Sequence, residues 1–360
     1  MRILIATNSY PTKKNPTRQS FVKNLYEGLK NEDCRVDLVQ NQYFNYFESD
    51  LKSDTKISSV VKVLFMAFSY LPYMIYKARK YDLIYSQSAI LPGFFVMLSA
   101  KLHQTKYISY VHGTENRYIR NKGALFKLAK LTLQNSEKVI TNSHYMKSRI
   151  NQHYNLDSRV ISPGYNSKVF KYRHSQKPID LFFAGHAIKN KGIDILLKAV
   201  KLDKNFYREN NINVQIHSSG GDKKEYISFT ESNNLTEFIT FGDRLSENEL
   251  AKHYRESKIV VFPSRIEALG LVGIEAISCG AFLIASNTGG IREYVKHGVN
   301  GYLFEKNNPV DLQHYIRIAY ENYPTIMKNL AENSKTVKEY SIDTSIKETI
   351  HLIKETLDDK

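Results

Sequence analysis

Short apolar runs alternate along the whole chain with segments whose apolar positions recur every three or four residues. Apolar runs bounded by polar residues are typical of buried strands, and the longer period predicts helices. In the first half this pattern predicts strands Arg2–Thr7, Arg35–Val39, Tyr81–Ser86, Lys106–Val111 and Lys138–Thr141, and helices Arg18–Lys30, Pro92–Leu102 and His144–His153. In the second half it predicts strands Ile179–Ala184, Val214–His217, Phe238–Phe241, Ile259–Phe262, Phe282–Ala285 and Gly301–Phe304, and helices near Gly192–Lys201, Glu247–Glu256, Gly270–Ser278 and Pro309–Glu321. The alternation predicts an α/β fold with parallel sheets.

The chain has 360 residues, more than one ordinary core needs, so two domains are expected. We place an N-terminal domain at 1–174 and a C-terminal domain at 175–340, with the polar stretch Lys171–Pro178 as the hinge. Residues 341–360 predict a helix that closes the fold, with the N-terminal domain as one place for it to pack. Two Rossmann-like, doubly wound domains facing each other across a cleft would place a site where the carboxyl ends of their strands meet.

Ile57–Tyr76 is the most apolar stretch and has basic residues on both sides. A membrane span needs about 20 apolar residues without charge, whereas this stretch contains Lys62 and Pro72. A helix that is partly core and partly surface is the simplest interpretation. A helix lying in a membrane interface is the alternative.

Positive charge is concentrated in the first half of the chain. The net charge is +15, with 27 Lys and Arg against 11 Asp and Glu in residues 1–175, but 24 against 25 in residues 176–360. A basic half suits nucleic acid, an anionic membrane or an anionic substrate. No zinc-ligand spacing or RNA-binding signature is present, which argues against nucleic acid.

The cysteines and the first residues indicate the compartment. Cys34 and Cys279 are too few for a disulfide framework. The apolar start is too short for a signal peptide and is better explained as a strand. We therefore expect a cytoplasmic protein.

The segment Pro263–Gly290 carries the most specific chemistry. Glu267 stands in a loop before a predicted helix and Glu275 stands within that helix, seven residues further on. A helix N-terminus with Gly270 at its start suits a phosphate, because the backbone approaches closely and offers N–H groups. Glu275 is surrounded by apolar residues and needs a partner, for which a pair of ribose hydroxyls is suitable.

This segment resembles the Glu-x7-Glu signature of glycosyltransferase family 4, the retaining enzymes with the GT-B fold. The similarity extends over most of the chain, including Phe241–Ser246, Ser286–Gly290 and Gly298–Gly301. The resemblance implies that Glu267 approaches the donor sugar, that Glu275 binds the ribose, and that the amides of Gly270 and Leu271 hold the diphosphate.

A second segment, Ala184–Gly192, follows the first strand of the C-terminal domain. The resemblance assigns Gly185 and Lys191 to donor binding, with Lys191 neutralising the leaving diphosphate as a point charge. His186 stands where the family usually has Arg. Either Lys189 compensates for the lost charge or donor affinity depends on pH.

The N-terminal domain contributes residues after two strands. His112 follows a predicted strand, and the resemblance places it against the donor sugar, so that His112, Glu267 and Lys191 form the catalytic set. The first loop lacks the family's usual glycine, and its Lys13, Lys14 and Arg18 are candidates for an anionic acceptor. A solvated basic loop explains these three residues equally well.

Together these features predict a retaining hexosyl- or N-acetylhexosaminyl-transferase. It would use a nucleoside-diphosphate sugar, UDP in our interpretation, and a glycan, lipid-linked or cell-surface polymer acceptor. No Asp-x-Asp motif or His/Cys cluster calls for a metal. The absence of G-x-G-x-x-G after the first strand argues against a dehydrogenase. A non-catalytic GT-B homologue acting as a partner subunit is the alternative, and His186 is the residue that favours it. We expect peripheral attachment to the inner face of an anionic membrane.

Overall fold

A computed structural model describes residues 1–7, 10–11, 20–32, 34–40, 68–113 and 123–359. They form two units: unit 1 comprises 1–164 and 342–360, and unit 2 comprises 165–341. The division falls between Gly164 and Tyr165, and residues 171–178 lie within unit 2. None of the helices in these ranges is long and apolar enough to span a membrane.

Unit 1 has one parallel sheet of six strands in the order β2-β1-β3-β4-β5-β6. The strands are β1 Arg2–Thr7, β2 Arg35–Gln40, β3 Leu83–Ser86, β4 Lys106–Val111, β5 Lys138–Thr141 and β6 Arg159–Val160. The helices are α1 Ser20–Lys30, α2 68–78, α3 Leu91–His103, α4 Ala124–Gln134, α5 His144–Tyr154 and, at the end of the chain, α15 Ile342–Asp358.

The strands of unit 1 are nearly continuous in apolar residues because both faces of a parallel sheet are covered. One cluster joins the sheet to α1 and α15 through Val22, Leu25, Ile346 and Ile353. The helices α1 and α15 pack so closely that a Cβ at Gly28 would lie 2.0 Å from Ile346 Cδ1. The helix at the end of the chain is therefore part of the core of unit 1.

Unit 2 has a second parallel sheet of six strands in the order β12-β11-β10-β7-β8-β9. The strands are β7 Ile179–His186, β8 Val214–Ser219, β9 Ile239–Gly242, β10 Ser257–Phe262, β11 Phe282–Ser286 and β12 Gly301–Phe304. The helices are α6 Ile193–Leu202, α7 Lys204–Glu209, α8 Lys223–Ser232, α9 Glu247–Glu256, α10 Leu271–Ser278, α11 Ile291–Tyr294, α12 Pro309–Glu321, α13 Tyr323–Lys328 and α14 Leu330–Asn333, with 3-10 turns Lys189–Lys191 and Ser334–Tyr340.

Two clusters fill the two faces of this sheet, since side chains alternate between faces along each strand. Phe183 and Ile284 belong to one cluster, and Phe182 and Leu283 belong to the other. Buried on both faces, the sheet is a rigid support for the loops at its edge. The two units thus have the α/β architecture with parallel sheets that the sequence predicted.

Candidate active site

The loops that carry most of the predicted site begin at one edge of the unit 2 sheet. β7 ends at His186, β10 at Phe262 and β11 at Ser286, and these strands are neighbours in the order β11, β10, β7. Because they pair in parallel, the loops that follow them all start on the same side. This edge brings together the segment around Lys191 and the segment around Glu267.

Lys191 and Glu267 form an ion pair between two of these loops. Lys191 Nζ lies 2.5 Å from Glu267 Oε1, with 25% and 13% of the two side chains exposed. A Cβ at Gly185 would lie 3.1 Å from Phe183 Cζ and 4.0 Å from Lys191 Cγ, so Gly185 leaves room beside the lysine stem. A largely shielded pair of this kind fixes both side chains, because either one alone would be an uncompensated charge.

Arg265, which the sequence did not single out, ties the same two loops together. Its guanidinium binds the Asp194 carboxylate with two hydrogen bonds of 2.8 and 2.7 Å, and its backbone N–H donates to Asn190 O at 2.8 Å. Burial of the carboxylate raises the pKa of Asp194, but the Arg265 hydrogen bonds outweigh this effect and hold the pKa below its ordinary value. A local sequence pattern does not predict a contact between residues 71 positions apart. Arg265 and Asp194 therefore position the loop that carries Glu267.

Gly289 allows a third loop to lie against the backbone of Glu267. Its φ is +53°, and a Cβ at this position would lie 1.8 Å from Glu267 O. Any other residue would need both a strained backbone and a displaced Glu267 loop.

Helix α10 begins without a side-chain cap. Gly270 is its N-cap residue with φ of 90°, and the first turn, starting at Leu271, holds no acidic residue. Tyr294 Oη donates to Gly270 O at 3.0 Å and fixes the turn. The open N-terminal amides and the positive end of the helix dipole suit an anion here.

Glu275 lies one turn into α10 and is half-buried. Burial raises the pKa of its carboxyl to about 8, and the negative charge of Glu247 adds to the rise. The sequence predicted an apolar environment that would require a partner. A carboxyl in such an environment binds hydroxyl groups strongly, because water competes weakly.

His186 is exposed at the end of β7, with Nδ1 3.5 Å from Ser219 Oγ. Partial burial of the ring, followed by the positive charges of Arg244 and Lys191, lowers the pKa of His186. The imidazole is therefore neutral at physiological pH. Arg244 was missed as a candidate, although its loop after β9 belongs to the segment that resembles the family.

His112 lies in unit 1, directly after β4. Its ring contacts Tyr110 at a centroid distance of 4.1 Å and Phe21 at 4.8 Å. Burial lowers the pKa of His112 to about 3, so the ring is neutral. His112 Nε2 lies 2.8 Å from Gln87 Oε1, and Asn142 Nδ2 donates to His112 O at 3.0 Å.

Lys13, Lys14 and Arg18, the candidates for acceptor binding, lie outside the described residues. Within the described ranges, no group of three or more His, Cys, Asp or Glu side chains is arranged to hold a metal ion.

Comparison with known proteins gives the family. Residues 165–337 match the family model for glycosyl transferases group 1, and residues 19–169 match the model for glycosyltransferase family 4. An uncharacterised glycosyltransferase of Methanocaldococcus jannaschii is 29% identical over 341 residues, covering 93% of this chain and 92% of that protein.

Two solved structures show the same fold. Sucrose-phosphate synthase of Thermosynechococcus elongatus matches with a TM-score of 0.80 at 17% identity, covering 100% of both chains. Anabaena HepE in complex with UDP matches with a TM-score of 0.77 at 16% identity, covering 99% of this chain and 100% of that one. With a matching model for each half and the fold of solved members, the chain belongs to the family 4-like glycosyltransferases with the GT-B fold.

Proposed function

We propose that this chain is a retaining glycosyltransferase that moves a hexosyl or N-acetylhexosaminyl group from a UDP-sugar to a glycan, lipid-linked or cell-surface polymer acceptor. The observation that carries the proposal is the Lys191–Glu267 ion pair at the edge of the unit 2 sheet, on the loop that leads into the uncapped α10. The choice of UDP is supported by the UDP complex of HepE.

The donor's diphosphate would replace Glu267 as the partner of Lys191. The lysine then neutralises phosphate oxygens together with the amides at Gly270 and Leu271, and Glu267 is released to accept hydrogen bonds from sugar hydroxyls. Glu275 would receive the ribose hydroxyls. Arg244 adds positive charge on the side where His186 is neutral.

Transfer would proceed on one face of the sugar, as the family resemblance implies. The bond from the anomeric carbon to the diphosphate oxygen breaks, the acceptor hydroxyl oxygen bonds to that carbon, and its proton passes to the departing phosphate. Lys191 stabilises charge that is greatest in the transition state. His112, neutral, would interact with the sugar through hydrogen bonds.

A panel of UDP-, GDP- and ADP-sugars in a thermal-shift assay tests donor binding, because a ligand that binds the folded state raises Tm by mass action. We expect a rise with UDP-sugars, and we expect Lys191→Ala to reduce turnover more than binding. Lys201→Ala, at an exposed lysine on α6, is the control. No stabilisation by any nucleotide sugar, or a Lys191→Ala enzyme that turns over like the parent, would refute the assignment.

A non-catalytic partner subunit is the second candidate, favoured by the neutral His186 where the family usually has Arg. Slow hydrolysis of the sugar nucleotide without acceptor separates the two. Nucleotide binding without hydrolysis or transfer supports the non-catalytic candidate.

We further propose that the protein is cytoplasmic and attaches peripherally to the inner face of an anionic membrane. The support comes from α2, which buries Tyr70, Met74 and Ala78 and exposes 80% of Phe68. Tyr73 and Tyr76 are also exposed, with Lys77, Arg79 and Lys80 over their rings. Aromatic rings beside cations suit the headgroup region.

A further inference from the structure

His112 is held from two sides by amide side chains. β3, β4 and β5 are adjacent in the unit 1 sheet, and Gln87, His112 and Asn142 each follow one of these strands by one residue. Gln87 contacts the ring at Nε2, and Asn142 donates to the backbone carbonyl. The proposed donor-sugar histidine is thus fixed in both ring and backbone.

Gln87 has little freedom of its own. Only 6% of the residue is exposed, and its backbone N–H donates to Ala6 O at 2.8 Å, on the neighbouring β1. Its Nε2 makes no hydrogen bond of standard geometry within the described part of the chain. Burial raises the pKa of the nearby Tyr85 phenol, and the side chains of Thr349 and Gln87 oppose this rise.

This contact selects one form of the imidazole. With the Gln87 amide placed so that its oxygen lies 2.8 Å from His112 Nε2, this nitrogen is the donor, because an amide oxygen only accepts hydrogen bonds. Because the ring is neutral, its other nitrogen, Nδ1, then carries none and is an acceptor.

We propose that Gln87 is the positioning residue of His112: its amide oxygen holds the imidazole as the Nε2–H tautomer and keeps Nδ1 as the acceptor for a hydroxyl of the sugar substrate. The hydroxyl contact rests on the proposed transferase function, whereas the tautomer does not.

Nitrogen NMR of protein labelled at histidine tests the tautomer in the full-length protein without substrate. The His112 signals are identified by their loss in His112→Ala. We expect one neutral form with Nε2 protonated in the parent and a mixture of tautomers in Gln87→Leu. An unchanged single tautomer in a folded Gln87→Leu protein would overturn the proposal.

Gln87→Glu keeps the acceptor and adds a negative charge. We expect it to preserve the Nε2–H tautomer and to raise the pH at which His112 gains its second proton, because a carboxylate stabilises the imidazolium. Among the described residues, two other titratable groups lie near the ring. One is the Tyr110 phenol, on which the charge of Glu348 acts, and the other is the Tyr85 phenol, which lies beyond Gln87. Burial raises the pKa of both phenols, so neither competes in this range. A Gln87→Glu protein in which His112 titrates as in the parent would contradict the contact.

Transfer kinetics test the consequence for function. We expect Gln87→Leu to lower kcat by about tenfold with little change in the KM for the nucleotide sugar, and to have no further effect in a His112→Ala background. Gln313→Leu is the matched control, since Gln313 is a buried glutamine of unit 2 that accepts from Tyr207 Oη. Losses that add independently would show that Gln87 does not act through His112. If the parent transfers no sugar, the proposed function fails while the NMR still decides the tautomer.

Discussion

Glu275 is the residue whose burial has the clearest measurable consequence. Its pKa of about 8 means that the folded protein keeps a proton that the unfolded chain has lost above the ordinary value of 4.5. The contribution of Glu275 to the free energy of unfolding therefore decreases as the pH rises from about 4.5 to about 8. Glu275→Gln cannot titrate, so it gains stability relative to the parent over that interval. We expect an advantage of at most about 4 kcal/mol at pH 8, since the pKa rises from 4.5 to about 8 and each pKa unit corresponds to ~1.4 kcal/mol.

Thermal unfolding at several pH values between 5 and 8 measures this difference. Glu209→Gln, at an exposed glutamate of α7, is the control. A gap between Glu275→Gln and the parent that does not widen with pH would disprove the explanation. We expect the same variant to bind UDP more weakly, so that the gain in stability and the loss of UDP affinity both arise from one carboxyl.

His186 gives a second prediction for a single residue. Burial first, and then Arg244 and Lys191, lower its pKa, so at pH 8 it adds no charge to the diphosphate site. We expect His186→Arg to tighten UDP binding at pH 8 by about 1.5–3 kcal/mol, the range for a hydrogen bond to a charged group. The affinity of the parent is expected to rise at low pH as His186 gains a proton, and that of the variant to change less.

Titration calorimetry at pH 6 and pH 8 decides this. His314→Arg places the same charge at an exposed position of α12 and is expected to leave affinity unchanged. Binding by His186→Arg that is no tighter than the parent's would show that His186 has a separate role.

At the scale of elements, the loop after β11 supports the loop that carries Glu267. Gly289→Ala meets both a positive φ and a contact of 1.8 Å with Glu267 O, whereas Gly298→Ala meets a φ of +81° with nothing within 4 Å. We expect Gly298→Ala to lose about 1 kcal/mol from backbone strain alone and to bind UDP normally. Gly289→Ala is expected to lose more stability and to bind UDP weakly.

Chemical denaturation and UDP titration of both variants separate the effect of backbone strain from the effect of displacing the Glu267 loop. Equal stability losses together with equal UDP affinities would mean that the Gly289 contact does not support the site.

The sequence was most informative about the strands. β1, β4 and β5 have the predicted bounds, because their continuous apolar runs are buried on both faces. Helix α4 was not predicted as a helix, although Ala129 and Leu133 are buried. Helix α8 was missed because it is mostly polar and buries only Tyr226 and Thr230.

Part of the candidate site could also be predicted from the sequence. The motifs gave Lys191, Glu267 and Glu275 individually, but not the Lys191–Glu267 contact or the Arg265–Asp194 support. These contacts join residues more than 70 positions apart. Such distances depend on which strands become neighbours, and local periodicity does not encode that.

At the scale of the whole molecule, the basic excess of residues 1–175 and the exposed face of α2 predict attachment to anionic vesicles. Each cation near such a surface contributes about 1 kcal/mol, so replacing Lys77, Arg79 and Lys80 with Glu is expected to abolish most of the binding. High salt weakens the electrostatic part and spares any inserted aromatic face.

Co-sedimentation with anionic and neutral vesicles at low and high salt measures this. The control replaces exposed Lys224, Lys306 and Lys328 of unit 2 with Glu and has the same change in net charge. Negligible binding of the parent to both vesicle types would leave an anionic soluble polymer as the favoured explanation of the basic half. Equal losses in both triple variants would show that net charge, and not α2, determines attachment.

The position of α15 has a consequence for the order in which the protein matures on the ribosome. Unit 2 is continuous in the chain, whereas unit 1 lacks α15 until residues 342–358 have been synthesised and have left the exit tunnel. Until then, the face of α1 that holds Val22 and Leu25 is not yet covered by Ile346 and Ile353. Domains usually mature in the order of their synthesis. Unit 1 is therefore translated first but completed last. Until α15 packs against it, its exposed apolar core is a surface to which chaperones bind.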